Sequence, residues 1–400
     1  MSSAHTHTEE IKNPGSLKPL PKLNLIFLLC IGLGVAAFFA GMTVHKDRVW
    51  SSFIVNHFYF LSLGVGGILF AAIQWVTGAM WSVPIRRVME SFTSYLPIGL
   101  VMFLILAAFG LHEGYHWSHV DYVMKDPILV KKASYLNTTF FTIRNTFSIL
   151  VWILLGGALI KNSLAQDKDG DYRFTLKNRV ISAIFIILFA LTFTMSSFDI
   201  LMSLDPHWFS TIFGVYCFAG MLYSTLALTC IITLLLKRSG YLLGFVNESH
   251  IHDIGKFMFA FVVFWAYIGF SQFMLIWYAN LPEETGYFLK RVADPWAGVS
   301  IFLVVGKFIT PFILLLPRGS KRSEKLLILV AAWMLSAQWI DVMWMVQPEF
   351  FKTPSIGWIE IGMTLGFAGI FGLAVIRFLS KHPIVAFRDP KMTESLHHHQ

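Results

Sequence analysis

Ten apolar runs, each about 20 residues long, constrain the fold of this chain more than any other feature. A helix rises about 1.5 Å per residue, so a run of this length crosses the hydrocarbon core of a bilayer. We predict one transmembrane helix for each run and therefore an all-α, polytopic membrane protein. The runs cover residues 24–44, 58–81, 95–112, 138–160, 178–201, 210–236, 256–279, 296–316, 325–346 and 357–380.

The composition supports a membrane protein and argues against nucleic-acid binding. Hydrophobic residues make up 56% of the chain and charged residues only 14%, which is outside the range of soluble globular domains. The net charge is +8, but most lysines and arginines outside the runs fall on one side of the membrane. Because cytoplasmic loops carry the basic excess, we predict that both termini are cytoplasmic.

The same pattern divides the chain into two tails and one membrane domain. We expect cytoplasmic tails at residues 1–23 and 381–400, on either side of a ten-helix domain over residues 24–380. Helices two to five and six to nine suggest two four-helix bundles, at about 51–204 and 210–346, with two flanking helices. The three cysteines lie inside apolar runs without any CxxC or Cys/His spacing, so we expect no metal, iron–sulfur or covalent haem site in this chain.

Four charged residues fall inside the predicted helices, in the outer half of the membrane: Arg144, Asp199, Lys307 and Asp341. Charges in hydrocarbon are costly, face the bundle interior and mark functional sites by default. Two interpretations stay open. The residues either form two structural ion pairs, or they line a polar cavity, open to the outer side, that takes and releases protons.

In the second interpretation Asp199 is the proton carrier, and the other three charges set its charge balance. Asp199 opens a stretch that also contains Asp205 and His207 on either side of Pro206, where the helix must end. Burial raises a carboxyl pKa towards the working pH, and histidine titrates near it. Glu360, near the outer boundary, completes the predicted proton-handling set.

A second polar group lies at the outer end of helix three, where His112, Glu113 and His116 follow one another. The two histidines are four residues apart, which places them on one helical face at the spacing of a two-histidine metal site. Two histidines alone are a weak metal signal. Hydrogen bonding in a buried pocket and capping of the interface are the other interpretations, and Gln272 on helix seven is a further pocket candidate.

Three stretches resemble one family. They are 196–216, with its Asp-x5-Asp-Pro-His-Trp-Phe-Ser-Thr core, 58–87, with Gly66-Gly67 and the exit Trp-Ser-Val-Pro-Ile-Arg-Arg, and 135–144, Tyr-Leu-Asn-Thr-Thr-Phe-Phe-Thr-Ile-Arg. Together they resemble the membrane subunits of alternative complex III, the quinol:cytochrome c oxidoreductases with NrfD/polysulfide-reductase-type subunits. The resemblance covers helices two, four and five, and the ten-helix plan fits throughout.

The chain is most similar to the shorter, ActF-like of the two related membrane subunits in such complexes. The resemblance implies a multi-pass protein of the bacterial inner membrane that is not catalytic alone. It implies an ActC-like paralogous subunit, an iron–sulfur subunit, and multihaem and monohaem cytochrome c subunits as partners, with lipid around them. Electrons would pass from menaquinol or ubiquinol to cytochrome c or to a terminal oxidase.

Quinol oxidation needs a hydrogen-bond acceptor, a proton exit and an electron acceptor. The resemblance makes His112, Glu113, His116 and Gln272 candidates for a quinone pocket, while the iron–sulfur clusters and haem c of partner subunits would accept electrons. Three alternatives stay open: an NrfD-type anchor of a molybdopterin oxidoreductase, a purely structural assembly subunit, and a secondary transporter. The transporter would need broken helices at mid-membrane, and Pro311 is a lone example.

Overall fold

The computed structural model describes residues 13–399, and every regular element within that range is a helix. Ten helices there are long and apolar enough to cross a membrane, which confirms the all-α, multi-pass prediction. They are α1 Pro21–Val44, α2 Lys46–Thr77, α3 Val83–Gly114, α4 Thr138–Asp169, α5 Tyr172–Leu204, α6 Phe213–Arg238, α7 Glu248–Ala279, α8 Ala297–Leu315, α9 Glu324–Glu349 and α10 Trp358–Lys381. Residues 1–12 of the predicted N-terminal tail lie outside the described residues.

Several helices extend well beyond their apolar runs. Helix α2 begins at Lys46 rather than at residue 58, and α3 begins at Val83 rather than at residue 95. Residues 49–58 include Ser51, Ser52 and Asn56, which lowers their hydropathy, yet all of them are buried inside the protein. Because their surroundings are other helices rather than lipid, hydropathy alone placed these starts too late.

Local capping fixes several helix ends. The Asn137 side chain accepts a hydrogen bond from the backbone N–H of Phe140 (2.8 Å) at the start of α4. Asp171 caps α5 in the same way, accepting from Arg173 (2.8 Å), directly after Gly170 closes α4 with a φ of +73°. These are the residue types that satisfy the free N–H and C=O groups at helix ends.

Helices α2 and α6 form the centre of the molecule, and both are mostly buried. They contact each other; α2 also packs on α3 and α5, and α6 packs on α7 and α9. Helix α4 lies against α3 and α5, and α8 lies against α7 and α9. We call α2–α5 the first set and α6–α9 the second set. Helices α1 and α10 pack on each other and on α2.

The α1–α10 contact depends on small residues. A Cβ added to Gly34 would meet the backbone of Gly366. Small residues of this kind let two membrane helices approach closely, where dispersion contacts and not burial from water drive association. At the end of this pair, the backbone N–H of Leu17 donates to the carbonyl of Leu379 (2.9 Å), and Ile384 donates to Gly15 (3.0 Å).

Residues 15–17 and 379–384 therefore lie together, and we call their side of the molecule the terminal face. The opposite side carries residues 115–137 and 280–296, and we call it the loop face. The C-terminal segment is tied across the terminal face. Arg86 pairs with Asp389, and His398 pairs through Nε2 with Asp253 (2.7 Å).

Candidate functional site

The first buried ion pair joins α4 to α5. Arg144 donates from Nε and Nη2 to the two carboxylate oxygens of Asp199, at 3.0 and 2.8 Å. Asn145 donates a third hydrogen bond to Asp199, at 3.0 Å. Arg144 is 5% exposed and Asp199 is 1% exposed. The carboxylate therefore accepts three hydrogen bonds. The two from Arg144 form a bidentate contact, which is the strongest form of arginine–carboxylate pairing.

The guanidinium of Arg144 lies against the faces of two aromatic rings. Its central carbon lies 3.8 Å from the ring centroid of Tyr135 and 4.2 Å from that of Phe140. Its remaining Nη1 donates to the backbone carbonyl of Tyr135 (2.9 Å). Cation–π contact and hydrogen bonding together replace the water that the charge loses on burial.

The loop after α3 closes the end of α5 near this pair. The Tyr115 hydroxyl donates to the carbonyl of Ile200 (2.8 Å), and the Trp117 indole N–H donates to the carbonyl of Ser203 (3.1 Å). These carbonyls belong to the last turn of α5 and lack partners within the helix. The position of Asp199 is thus fixed by α4, by the end of α5 and by the loop after α3.

The second buried ion pair joins α8 to α9. Lys307 donates from Nζ to Asp341 (2.5 Å) and to the amide oxygen of Gln338 (2.6 Å). The Tyr216 hydroxyl and the Trp265 indole N–H also donate to Asp341, at 2.5 and 3.2 Å. Lys307 and Asp341 are both 0% exposed. This network of five side chains contains three titratable groups in direct contact.

The local shape of α8 explains how Lys307 reaches this position. A wide π-helical turn covers Leu303–Ile309, and Pro311 follows it. Proline has no N–H to donate four residues back, so the carbonyl of Lys307 loses its usual helical partner. The Tyr223 hydroxyl from α6 donates to that carbonyl instead (3.0 Å). π-Helical turns of this kind occur frequently at functional sites.

The two pairs occupy matching places in the two sets. In each set the third helix supplies the cation, Arg144 or Lys307, and the fourth supplies the carboxylate, Asp199 or Asp341. Each of the four predicted intramembrane charges thus pairs with another of the four. Asp199 and Lys307, which belong to different sets, each have a different partner.

A lipid-facing pocket of about 830 Å³ lies beside the second pair, between α7 and α8. Tyr216 and Trp265, which both hydrogen-bond to Asp341, form part of its wall. Gln272 also lines it and donates to the hydroxyl of Ser210 (2.9 Å). Apart from Ser300, the remaining lining is apolar or aromatic and includes Phe270, Phe273, Phe288, Ile301, Val304, Phe308 and Trp344.

A second groove, of about 890 Å³, lies on another side of the molecule, among α1, α2, α6, α9 and α10. Leucine, isoleucine and phenylalanine dominate its lining. Its one titratable group is Tyr59, whose hydroxyl donates to the backbone carbonyl of Leu335 (3.0 Å). The α7–α8 pocket thus differs from this groove because it borders the Lys307–Asp341 network.

Asp205 and His207 lie on the loop face and hold its two long segments together. His207 pairs with Asp126 (2.5 Å), and Asp205 pairs with Lys290 (3.0 Å), which also contacts Glu349 (2.9 Å). We call these five residues the loop clamp. The clamp is partly exposed to solvent, in contrast to the two buried pairs.

The charges of the clamp shift the pKa values of two of its members. The hydrogen bond from His207 is the main cause that lowers the pKa of the Asp126 carboxyl. Burial lowers the pKa of Lys290, but the hydrogen bonds and charges of Glu349 and Asp205 outweigh it and raise the pKa overall. Both shifts favour the charged forms and therefore the intact clamp at neutral pH.

The polar group after α3 is arranged differently from the prediction. Helix α3 ends at Gly114, so His116 lies in a separate short turn and does not share a helical face with His112. His112 instead contacts the hydroxyl of Ser118 through Nδ1 (3.0 Å). Among residues 13–399, no cluster of three or more His, Cys, Asp or Glu side chains has the arrangement of a metal site.

Two further predicted residues form ion pairs at the loop-face ends of helices. Glu113 pairs with Lys46 at the start of α2. Glu360 accepts two hydrogen bonds from Arg48, at 2.9 and 2.6 Å, and one from the backbone N–H of Gly357 (2.7 Å). Glu360 thus caps α10 and fastens it to α2.

Sequence reasoning missed Tyr216 and Trp265, and it noted His57 only as a histidine near the outer boundary. Tyrosine and tryptophan are ordinary residue types in a membrane protein, and only their hydrogen bonds to Asp341 distinguish Tyr216 and Trp265. His57, on α2, is 0% exposed, and neither of its ring nitrogens has a hydrogen-bond partner among the described residues. The sequence shows a histidine in an apolar helix, but its lack of a partner, which is unusual for a buried polar group, is visible only in the structure.

The described residues form an all-helical, multi-pass membrane protein whose buried ion pairs include Arg144–Asp199 and Lys307–Asp341. Comparison of the sequence with protein-family models and with curated proteins finds no match. The assignment to a particular class of membrane protein therefore depends on the residues themselves.

Proposed function

We propose that the chain is a membrane subunit of a quinol:cytochrome c oxidoreductase complex of the alternative complex III type, and that it handles protons coupled to quinol oxidation. Oxidation of a quinol releases two electrons and two protons. Iron–sulfur or haem groups of partner subunits accept the electrons. This chain contributes buried groups that accept and pass on the protons.

The Lys307–Asp341 network carries this proposal. A carboxylate and an ammonium in direct contact, each 0% exposed, are costly to bury, and such groups in membrane helices mark proton relays and ion pathways. The pair can exist as ammonium and carboxylate or, after one proton transfer, as amine and carboxylic acid. The Tyr216 hydroxyl, which donates to the same carboxylate, extends the network towards the α7–α8 pocket.

The partners of the two carboxylates favour Asp341 over Asp199 as the proton carrier. Asp199 is paired with an arginine, which stays protonated in proteins. Its ion pair therefore has one stable charge state. Asp341 is paired with a lysine, whose burial makes loss of its proton far easier than for arginine. In the proposal Asp341 takes the role that the sequence suggested for Asp199, and Arg144–Asp199 holds the first set together.

The proposal includes the arrangement that the sequence suggested. The two sets are two four-helix bundles flanked by α1 and α10, and the terminal face is cytoplasmic. The loop face then meets the redox partners outside the bacterial inner membrane. Exposed apolar side chains on that face suit a protein partner, since they include Val120 at 72% and Met124 at 73% exposure.

The experiment is purification of the intact complex from native membranes through a tag on this chain. The proposal predicts co-purifying haem c and iron–sulfur subunits, and reduction of cytochrome c that depends on added menaquinol or ubiquinol. A molybdopterin subunit among the partners would instead indicate the NrfD-type anchor. Purification without any redox partner would contradict the proposal and leave a structural subunit or a transporter.

A further inference from the structure

Two cationic side chains meet at the terminal-face end of α2, and we call Gly78, Arg179 and Lys391 the Gly78 site. Gly78 ends α2 in a left-handed conformation, with a φ of +62°. A Cβ built on Gly78 would lie 3.1 Å from Nη2 of Arg179 and 3.2 Å from Nζ of Lys391. The guanidinium and the ammonium therefore lie close together, although like charges at short distance repel each other.

Neither of these cations is neutralised by a carboxylate within residues 13–399. The Nε of Arg179 is buried and has no hydrogen-bond partner there, and neither Arg179 nor Lys391 forms an ion pair there. The Nζ of Lys391 donates to the carbonyl of Gly78, which carries no charge. Asp389, two residues before Lys391, is already paired with Arg86. A buried donor without an acceptor is costly, so the site favours a bound anion.

Apolar side chains on the outside of the molecule flank the Gly78 site. Val76 lies two residues before Gly78 on α2, and its exposed fraction is 45%. Leu176 and Val180 lie on either side of Arg179 in α5 and are 50% and 62% exposed. Both cationic side chains are partly exposed, so an anion can reach them from outside the protein. Basic residues at the membrane boundary, between helices with lipid-facing surfaces, are typical of sites for lipid headgroups.

We propose that Arg179 and Lys391 bind the phosphate of an anionic phospholipid at the Gly78 site. The guanidinium and the ammonium each donate to a phosphate oxygen, and the acyl chains follow α2 and α5 into the bilayer. The lipid joins α2, α5 and the C-terminal segment, and so helps to hold that segment on the terminal face. This binding site is independent of the proposed function.

The test is native mass spectrometry of the purified protein in detergent, with bound lipid measured as phosphatidylglycerol or phosphatidylcholine is added. The proposal predicts that phosphatidylglycerol binds about tenfold more tightly, because only this one of the two lipids has a net negative charge. The double variant Arg179→Gln, Lys391→Gln should lose the preference. The ratio of the two affinities is compared within each variant, so a loss of stability alone does not change it.

Lys177→Gln is the matched control for the double variant. Lys177 is exposed on α5, and it is two residues from Arg179 and therefore projects from another side of the helix. This variant also removes a positive charge, but it should keep the preference for phosphatidylglycerol. Equal affinities for the two phospholipids in the unchanged protein, or a preference that survives in the double variant, would overturn the proposal.

Inorganic phosphate distinguishes a lipid headgroup from a free anion. An excess of phosphate should leave most of the phosphatidylglycerol bound, because phosphate gains nothing from the apolar surface beside the site. Displacement of phosphatidylglycerol by an equal concentration of phosphate would show a site for the free anion and would overturn the assignment to a lipid.

Discussion

Removing one member of a buried ion pair leaves the other without compensation, so we expect Asp199→Asn to destabilise the protein. The change leaves the Arg144 guanidinium buried with a neutral partner. Removing one partner of a buried ion pair in this way lowers the free energy of unfolding by about 3–5 kcal/mol. Thermal unfolding of the purified protein in detergent should show a clearly lower midpoint.

The control for this prediction replaces both partners. Arg144→Met combined with Asp199→Leu removes both charges and should restore most of the lost stability, because a well-packed apolar pair is often as stable as a buried ion pair. An unchanged midpoint in Asp199→Asn would contradict a structural role for this pair.

The loop clamp should respond to pH through Asp126. The pKa of Asp126 is lowered in the folded protein, mainly by the hydrogen bond from His207. The contribution of the Asp126 carboxylate to the stability of the clamp is therefore fully present above its pKa in the unfolded protein, about 4. It is lost as the pH falls through the lower pKa of Asp126 in the folded protein. A spin label at the exposed position 125 should become more mobile between pH 5 and pH 3, as measured by electron paramagnetic resonance.

In Asp126→Asn the same label should have equal mobility at both pH values, because the titrating group is gone. Increased mobility on acidification that persists in Asp126→Asn would assign the pH response to another group.

At the residue scale the sequence identified the four charges of these two buried pairs but not which of them would pair. Hydropathy and helical rise give the depth of Arg144, Asp199, Lys307 and Asp341, and depth is what makes them candidates to pair. Which pairs form depends on which way each side chain faces around its helix and on how the helices are arranged. Neither quantity follows from one sequence. The roles of Asp205 and His207 were also hidden, because their partners lie on distant segments.

At the scale of the helices, the contact between α1 and α10 depends on the absence of a side chain at Gly34. Gly34→Leu would force the two backbones apart. We expect it to lower the free energy of unfolding by about 1–3 kcal/mol, as overpacking does. Gly32→Leu on the same helix is the matched control, since a Cβ at Gly32 meets nothing within 4 Å. The thermal midpoint in detergent should fall for the first variant and stay unchanged for the second.

Equal midpoints for the two variants would mean that the α1–α10 contact does not contribute to stability.

The number and type of the helices could be predicted from the sequence, whereas their ends and irregularities could not. A run of about 20 apolar residues leaves the backbone no alternative to a helix in lipid. The early start of α2 is different, because residues 49–58 include polar side chains and are buried by other helices. The π-helical turn at Leu303–Ile309 likewise depends on packing, since Tyr223 and Pro311 act on the same carbonyl from different helices.

At the scale of the whole molecule, the two sets of helices differ in the cation of their matching ion pairs and in what lies beside each pair. The first set holds a carboxylate against an arginine, and the second holds one against a lysine beside a lipid-facing pocket. The pocket could not be predicted, because most of its lining consists of ordinary apolar residues from separate helices. Of its polar residues, only Gln272 was a candidate from the sequence.

The most direct measurement of the central claim is quinol:cytochrome c turnover in two complexes that differ only in which ion pair has been neutralised. Lys307→Gln with Asp341→Asn and Arg144→Gln with Asp199→Asn each replace an ion pair by two amides. The account predicts that the first complex loses turnover by about 10²-fold or more, as expected for loss of a proton-transferring group. The second should keep turnover within about 3-fold, since its pair has no acid–base role. Equal turnover in the two complexes, or a larger loss in the second, would contradict the assignment of proton handling to Lys307 and Asp341.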